Sequence, residues 1–391
     1  MIVYKFGGTS LADAERIRRA SRLVLDCAGP RVVVVSALAG VTNHLVELAL
    51  EAVKGADTEV AWRVNALRVR HEEVAGALLG EGPEFDEALR GIESVFQRLD
   101  VATHTDASEP AAARRLVDEV TSTGEDLATV LMAGALRQDG LEAIAVDARR
   151  VVRTDDRFGA AVPLDDETTR QVRQEVEPLL DAGMVPVLQG FVGATADGVT
   201  TTLGRGGSDF TAAIVGAALG AEEVCLWTDV DGVMTAEPGD VGAAEVLPEL
   251  GYEEAVELAY FGAKVIHPAA AKHAAARDVT LTVRNSQRPD LPGTRIRHDA
   301  RRASGVKAVA HKPAVTLIKV RSRPMFMAYG FLARVFDVLA RHQLPVDLVA
   351  TSHTSTAFTL DAKEGLGGVE EELGRFAEVE IVPDLATVSI V

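Results

Sequence analysis

The chain is poor in cysteine, in aromatic residues and in positive charge, and each shortage closes a class of function. Only Cys27 and Cys225 occur, which supports neither a disulfide framework nor a zinc site. Both lie in apolar runs and read as core thiols. Aromatic residues make up 5% of the 391 positions, too few to point to a base-stacking surface. Lysine and arginine number 40 against 58 aspartates and glutamates, a net charge of −18, so the field of the whole protein repels nucleic acid and anionic membranes unless a basic patch overcomes it. The nearest candidate, Arg295 to Arg302, carries an acidic residue inside it and reads as a solvated connector. No run approaches the ~20 apolar residues of a membrane span, and the first residues, M-I-V-Y-K-F-G-G-T-S, lack a signal-peptide apolar region. The expected compartment is therefore the cytoplasm, with no nucleic-acid or membrane partner.

What remains is a globular composition, 47% hydrophobic and 25% charged, of a length that predicts roughly two to three domains. The most distinctive stretch is Thr200 to Ala212, T-T-T-L-G-R-G-G-S-D-F-T-A. Gly204, Gly206 and Gly207 remove Cβ atoms where a backbone must bend or approach a ligand, and Ser208 and Asp209 can cap the helix that follows. Such a helix start attracts anions. An acidic protein that handles anionic substrates must gather its cations locally, which gives the single Arg205 in this turn its weight.

Ahead of that turn, Ile2 to Lys5 reads as a buried strand that runs into Gly7-Gly8-Thr9-Ser10 and then a helix with Ile17, Ala20, Leu23, Val24 and Cys27 in helical spacing. Val32 to Val35, Ser36 to Gly40 and the helix after Thr42-Asn43 repeat the pattern, which implies parallel βα units. Glu51 to Gln138 is almost free of proline and reads as a helical insertion, with His71 a packing residue on its apolar stripe. Thr121-Ser122-Thr123-Gly124-Glu125 interrupts the stripe, so Glu125 is predicted where one helix ends and the next begins. Further strands at Ala143 to Val146, Val185 to Leu188, Val224 to Thr228 and Thr280 to Val283 predict an α/β fold, a doubly wound, mainly parallel sheet over residues 1–294. Its glycine turns are expected at the carboxyl ends of the strands. Residues 295–304 read as a linker and 305–391 as a smaller domain of βαββαβ order. Its strands are predicted at Val315 to Val320, Val346 to Thr351, Thr356 to Asp361 and Val379 to Val382, and its helices at Gly330 to His342 and Val369 to Phe376. Ala386 to Val391 reads as one more strand with nothing to pair.

Seven motifs in order, K-F-G-G-T-S (Lys5–Ser10), V-S-A-L-A-G-V-T-N (Val35–Asn43), G-E (Gly124-Glu125), R-T-D-D-R-F-G (Arg153–Gly159), T-T-L-G-R-G-G-S-D (Thr201–Asp209), W-T-D-V-D-G-V (Trp227–Val233) and F-G-A-K-V-I-H-P (Phe261–Pro268), closely resemble the aspartate kinases. The resemblance covers nearly all of residues 1–300, and the tail is similar to that family's regulatory ACT region. It implies an amino-acid kinase fold and ATP-dependent phosphorylation of the side-chain carboxylate of L-aspartate to 4-phospho-L-aspartate, the first step toward lysine, methionine and threonine. The residue types suit that reaction. A carboxylate with a reference pKa near ~3.9 is already ionised at neutral pH and needs no general base, so catalysis reduces to alignment and to neutralising charge between two anions.

By the resemblance, Lys5, Gly7 and Gly8 hold the transferring phosphates, and Lys264 with Val265 approaches them from the other side. Arg205 grips a substrate carboxylate, while Thr42, Glu125 and Asp209 complete the aspartate site, the carboxylates facing the substrate ammonium. Lys5, Arg205, Asp209 and Lys264 form the catalytic set. Thr228 and Asp229 meet the nucleotide. The blander readings are a strand-end lysine for Lys5, a helix cap for Asp209 and a capping residue for Glu125. His267 before Pro268 reads as a structural residue that orients the Lys264 loop. Magnesium is expected as the ATP complex, with no protein ligand assigned.

Two departures stand out. Met234 and then Glu237-Pro238-Gly239 replace an aromatic residue and a D-P-R run, which predicts weaker ATP binding or another nucleotide preference. In the tail, Y-G-F-L-A-R-V-F-D-V-L-A-R-H (Tyr329–His342) and V-D-L-V-A-T-S (Val346–Ser352) are most similar to lysine-sensitive members, with Phe331 and Asp347 matching. Ala328 and His353 stand where serine and glutamate are common, which weakens the case for a cationic effector. Lysine or threonine is the expected effector, and a homodimer or higher homo-oligomer the expected assembly. ACT units pair, so the rest of a second unit is expected after Val391. The alternatives are another amino-acid kinase, acting on glutamate, acetylglutamate, carbamate or a nucleoside monophosphate, and a catalytically weak ACT-type amino-acid sensor.

Overall fold

The computed structural model describes residues 1–391 except 263–265, 299, 301–304, 322–328 and 362–365. The chain divides into two compact units, one of Met1–Thr235, Ala243–Tyr260 and Lys264–Gly305, the other of Ala236–Gly242, Phe261–Ala263 and Val306–Val391.

In the first unit, β1 (Ile2–Phe6) leads through a 3-10 turn (Gly8–Leu11) into α1 (Ala14–Leu25) and back to β2 (Arg31–Val35). The Asp13 side chain accepts from the Arg16 amide at 2.9 Å and fixes the start of α1. Helices α2 (Val41–Val53), α3 (Asp57–Leu79), α4 (Pro83–Thr103) and α5 (Pro110–Gln138) form the insertion. Proline opens α4 and α5, where its missing N–H has no helical partner to lose. Beyond them come β3 (Ala143–Val146), α6 (Ala148–Val151), α7 (Asp165–Asp181), β4 (Val185–Gln189), the hairpin strands β5 (Val192–Ala194) and β6 (Thr200–Thr202), α8 (Gly207–Leu219) and β7 (Glu223–Thr228). The unit closes with β8 (Glu249–Leu250), α9 (Tyr252–Tyr260), α10 (Pro268–Ala276), β9 (Thr280–Asn285) and β10 (Thr294–Ile296).

The main sheet has eight strands among the described residues, in the order β3-β4-β2-β1-β7-β9-β10-β8. All its pairs are parallel except β9 with β10. The continuous valine run of β2 follows from burial on both faces, Val32 to Val35 being 0% exposed. Successive crossovers place β2 on one side of β1 and β7 on the other, so a topological switch point opens at the carboxyl end of β1.

Three expectations for this unit need correction. Glu125 lies at no helix junction, because α5 is one helix of 29 residues. The hydroxyls of Thr121, Ser122 and Thr123 donate to the carbonyls of Val117, Glu119 and Val120 at 2.7–2.8 Å, so polar residues that resemble a break are satisfied within the helix. The Thr200 turn follows β6 of a separate two-stranded hairpin, not a strand of the main sheet. Arg295 and Ile296, taken as linker, pair with β9 and β8.

In the second unit β11 (Val309–Arg321), α11 (Phe331–Arg341), β12 (Val349–Thr351), β13 (Ser355–Leu360), α12 (Gly367–Gly374) and β14 (Glu378–Ile390) build a four-stranded antiparallel sheet of order β12-β13-β11-β14. Phe331, Val335, Leu339, Phe358 and Val369 fill the core between sheet and helices. The two final strands of the sequence reading are one. Val309 to Lys312 extend β11 beyond its expected start and supply the partner that Ala386–Val391 was expected to lack, with Val309 opposite Ile390. The kink that made β14 read as two strands sits at Asp384, φ 55°, facing a register shift near Ala314, φ 62°.

Candidate active site

Because β1 and β7 run in register, Phe6 opposite Trp227, the segments that leave them emerge side by side. The Gly7 amide donates to the Trp227 carbonyl at 3.0 Å and carries the pairing one residue further. A Cβ on Gly8 would lie 2.7 Å from the Ala37 carbonyl, so only glycine lets the chain cross the loop after β2 this closely. Ser10 locks the turn through its hydroxyl, 2.8 Å from that of Ser286. Lys5, the half-buried next-to-last residue of β1, bends over Gly7, and its Nζ reaches Asp209 Oδ1 at 2.6 Å.

Asp209 stands in the first turn of α8, where the helix N-terminus favours a negative charge. It is not the cap; Gly206, φ 72°, takes that position, and a Cβ there would strike the His267 ring at 2.6 Å. Arg205, just before, is exposed. Behind the turn Phe191 holds φ 68°, a conformation uncommon for a bulky residue, and its amide donates to Thr211 Oγ1 at 3.0 Å.

Glu125 reaches the same region from α5. It is 3% exposed; Oε1 accepts from the Ala37 amide at 3.0 Å, while Oε2 is buried without a partner. Burial pushes its carboxyl up to about 8, against the pull of the Ala37 amide and with a further push from Asp126. Lys5 pulls the other way from a distance, but as a carboxylate Oε2 would still need a hydrogen-bond donor. Next to it, Asp126 receives Arg149 through both oxygens at 2.9 and 3.1 Å and Gln189 Nε2 at 3.0 Å, and Arg149 Nε continues to Thr200 Oγ1 at 3.0 Å.

Of the other expected site residues, three fall within the described chain. Thr42 is exposed in the first turn of α2, behind Gly40, φ 80°. Thr228 ends β7 and donates to Asp229 Oδ1 at 3.1 Å, and Asn285 Nδ2 holds the Asp229 carbonyl at 3.3 Å. Lys264 and Val265 fall outside the described residues, as does Ala328. His267 caps α10, its Nδ1 accepting from the Ala269 amide at 3.3 Å, and burial lowers its pKa. Among the described residues no group of three histidines, cysteines or carboxylates could hold a metal ion, and no helix is long and apolar enough to cross a membrane.

Residues 1–285 match the amino acid kinase family. Over its whole length the chain is 38% identical to lysine-sensitive aspartokinase 3 of Escherichia coli (strain K12), of which it covers 87%. The solved structure of E. coli aspartokinase III in complex with aspartate and ADP, in the R-state, superposes with a TM-score of 0.87 at 37% identity, over all of this chain and 87% of that one. The T-state structure with lysine and aspartate gives 0.81 over the same shares, at 37% identity. The chain belongs to the aspartokinases of the amino acid kinase family.

Within this aspartokinase the structure joins Lys5, Gly7 and Asp209 directly, and joins Gly8 to Glu125 through the loop that holds Ala37 and Ala39. Lys5 and Asp209, which the sequence assigns to phosphate and to amino acid respectively, are in contact with each other. Asp118, Arg149 and Phe191 escaped the sequence reading. Asp118 and Arg149 sit in helices among ordinary surface-type charges, and only their burial sets them apart. Phe191 follows a glycine, the one local hint of an unusual backbone.

Proposed function

We propose that this aspartokinase carries out phosphoryl transfer at the carboxyl ends of β1 and β7, with Lys5 as the charge-neutralising group. An oxygen of the aspartate side-chain carboxylate attacks the γ-phosphorus of ATP, the bond to the β,γ-bridging oxygen breaks, and that oxygen leaves with ADP. No proton moves in this step, so the site needs cations and amides in place of a base. Lys5 Nζ supports this reading: a buried-strand lysine brought to 2.6 Å from Asp209 beside two glycines is a mobile ammonium with a nearby resting partner. On binding, Lys5 moves to the phosphates, and Asp209 and Glu125 face the substrate ammonium, which supplies the missing partner of Glu125 Oε2. Arg205 closes on the α-carboxylate. Gly7, Gly8, Thr228 and Asp229 line the nucleotide side, with Lys264 and Val265 assigned there from sequence. Magnesium comes with ATP, held by phosphate and water. The second unit takes an amino-acid effector, lysine or threonine, in a homo-oligomer.

Trapping the acyl phosphate with hydroxylamine tests the reaction. Aspartate with ATP yields hydroxamate and glutamate does not. Equal yields from both would overturn the substrate assignment, and none from either would overturn the chemistry.

A further inference from the structure

Asp118 is 1% exposed, lies outside the set just described, and is engaged three times. Its Oδ2 accepts from the Gly159 amide at 3.0 Å and the Thr202 amide at 2.9 Å, and its Oδ1 accepts from Thr202 Oγ1 at 2.9 Å. Neither anchored segment belongs to the main sheet. Thr202 is the last residue of the two-stranded hairpin and the direct approach to Gly204 and Arg205, and Gly159 ends the Arg153–Gly159 motif. They are also laid against each other. The Ala161 amide donates to the Thr202 carbonyl at 2.9 Å, Thr154 Oγ1 meets Thr201 Oγ1 at 2.7 Å, and a Cβ on Gly204, φ 76°, would sit 3.1 Å from the Gly159 carbonyl.

The same helix carries Glu125 two turns further on, so one rigid element presents a carboxylate to the substrate site and fastens the loop that presents Arg205 to it. Arg115, one turn earlier, stacks its guanidinium over Phe158 at 5.4 Å, beside Gly159. A main sheet would hold such a turn through its ladder, but the hairpin has only β5 and β6. Burying a carboxylate opposes stability unless its hydrogen bonds are complete, and here donors reach both oxygens. The arrangement therefore spends a buried charge on the placement of one loop.

We propose that Asp118 is a positioning residue for the amino-acid substrate: by clamping Thr202 and Gly159 to α5 it sets the distance between Arg205 and Glu125. This rests on the assignment of Arg205 and Glu125 to aspartate made above. The clamp acts through geometry and not through its charge, which separates it from the groups that touch substrate.

Steady-state kinetics with aspartate and ATP varied separately provide the test. Asp118→Ala raises KM for aspartate about tenfold or more, since a loop misplaced by an ångström can cost up to about a hundredfold, while KM for ATP stays within about twofold. Asp118→Asn retains most of the parent behaviour, because an amide oxygen accepts from both N–H groups and its NH2 donates to Thr202 Oγ1. Asp118→Ala added to Arg205→Ala leaves KM for aspartate where Arg205→Ala alone puts it. Equal rises in both KM values, a fall in kcat alone, or full additivity with Arg205→Ala overturns the proposal. If Arg205→Ala itself leaves KM for aspartate unchanged, the underlying assignment fails; if it raises KM and Asp118→Ala does not, only the positioning role fails. Should Asp118→Ala not fold, Thr202→Val removes one of the three bonds and is read the same way, with a rise of about threefold expected.

Discussion

At Glu125 a carboxyl group is buried in the protonation state that does not suit the ammonium-binding role proposed for it. Its pKa of about 8 in the free protein means that binding the substrate ammonium requires losing a proton below that pH. We therefore expect kcat/KM for aspartate to rise with pH and level off above about 8, and Glu125→Gln to flatten that limb. A profile that is flat from pH 6 to 9 in the parent would separate Glu125 from substrate binding. The stability sign is the reverse: the folded pKa lies above the unfolded one, so Glu125 costs the ligand-free protein stability as pH rises from about 4.5 to 8, and aspartate removes that cost. His71 gives the opposite dependence. It is 0% exposed, its ring edge-on to Phe96 and its Nδ1 2.7 Å from the Leu67 carbonyl, and burial pushes it down to about 4. Its folded pKa lies below the unfolded value, so its contribution is complete above about 6.5 and is lost as pH falls toward 4, up to about 3 kcal/mol. Urea unfolding of the parent and of His71→Leu at pH 7 and pH 5 isolates this from the opposite trend of Glu125. Relative to the variant the parent should lose about 2 kcal/mol at pH 5, and a difference between the two proteins that does not change with pH would contradict it. The sequence placed His71 in the packing stripe correctly; its protonation needed the burial.

Among the elements, α5 organises the site, and it is the one the sequence rendered least well. A threonine-serine-glycine run argues against a continuous helix on local propensity. Tertiary contacts override that preference, because Gly124 is where α5 crosses α2: a Cβ there would lie 2.7 Å from that of Ala37 and 3.0 Å from Leu45 Cδ1. Glycine at this point is a packing requirement and not a stop. Gly124→Ala should destabilise the protein by about 1–3 kcal/mol and lower turnover as well, since Ala37 also holds Glu125. Unchanged urea midpoint and turnover would show that the crossing yields without consequence. The β1 and β2 units, by contrast, were legible from apolar runs and glycine turns, because parallel strands buried on both faces leave a strong local signal. Hairpin strands of three residues leave almost none, which is why the turn after Thr202 was attached to the wrong sheet.

For the molecule as a whole, the α/β unit and the antiparallel unit were both recognisable from the order of elements, whereas the charges that meet only on folding were not. Lys312 is such a case. Its Nζ lies 2.9 Å from Asp347 Oδ2 and 2.7 Å from Asp361 Oδ1, so the aspartate that matches the lysine-sensitive pattern already has a cation from its own chain. A lysine effector that uses Asp347 must therefore compete with the Lys312 ammonium, and we expect Lys312→Ala to lower the lysine concentration needed for half-inhibition. Unchanged lysine inhibition in Lys312→Ala would contradict this. In the proposed reaction, catalysis turns on the Lys5 ammonium at the switch point of the main sheet. The decisive experiment is the turnover of Lys5→Ala at saturating aspartate and ATP, with its melting temperature measured alongside. A fall of about two orders of magnitude or more with folding intact is the expected result; turnover near that of the parent would remove Lys5 from the reaction and with it the proposed site.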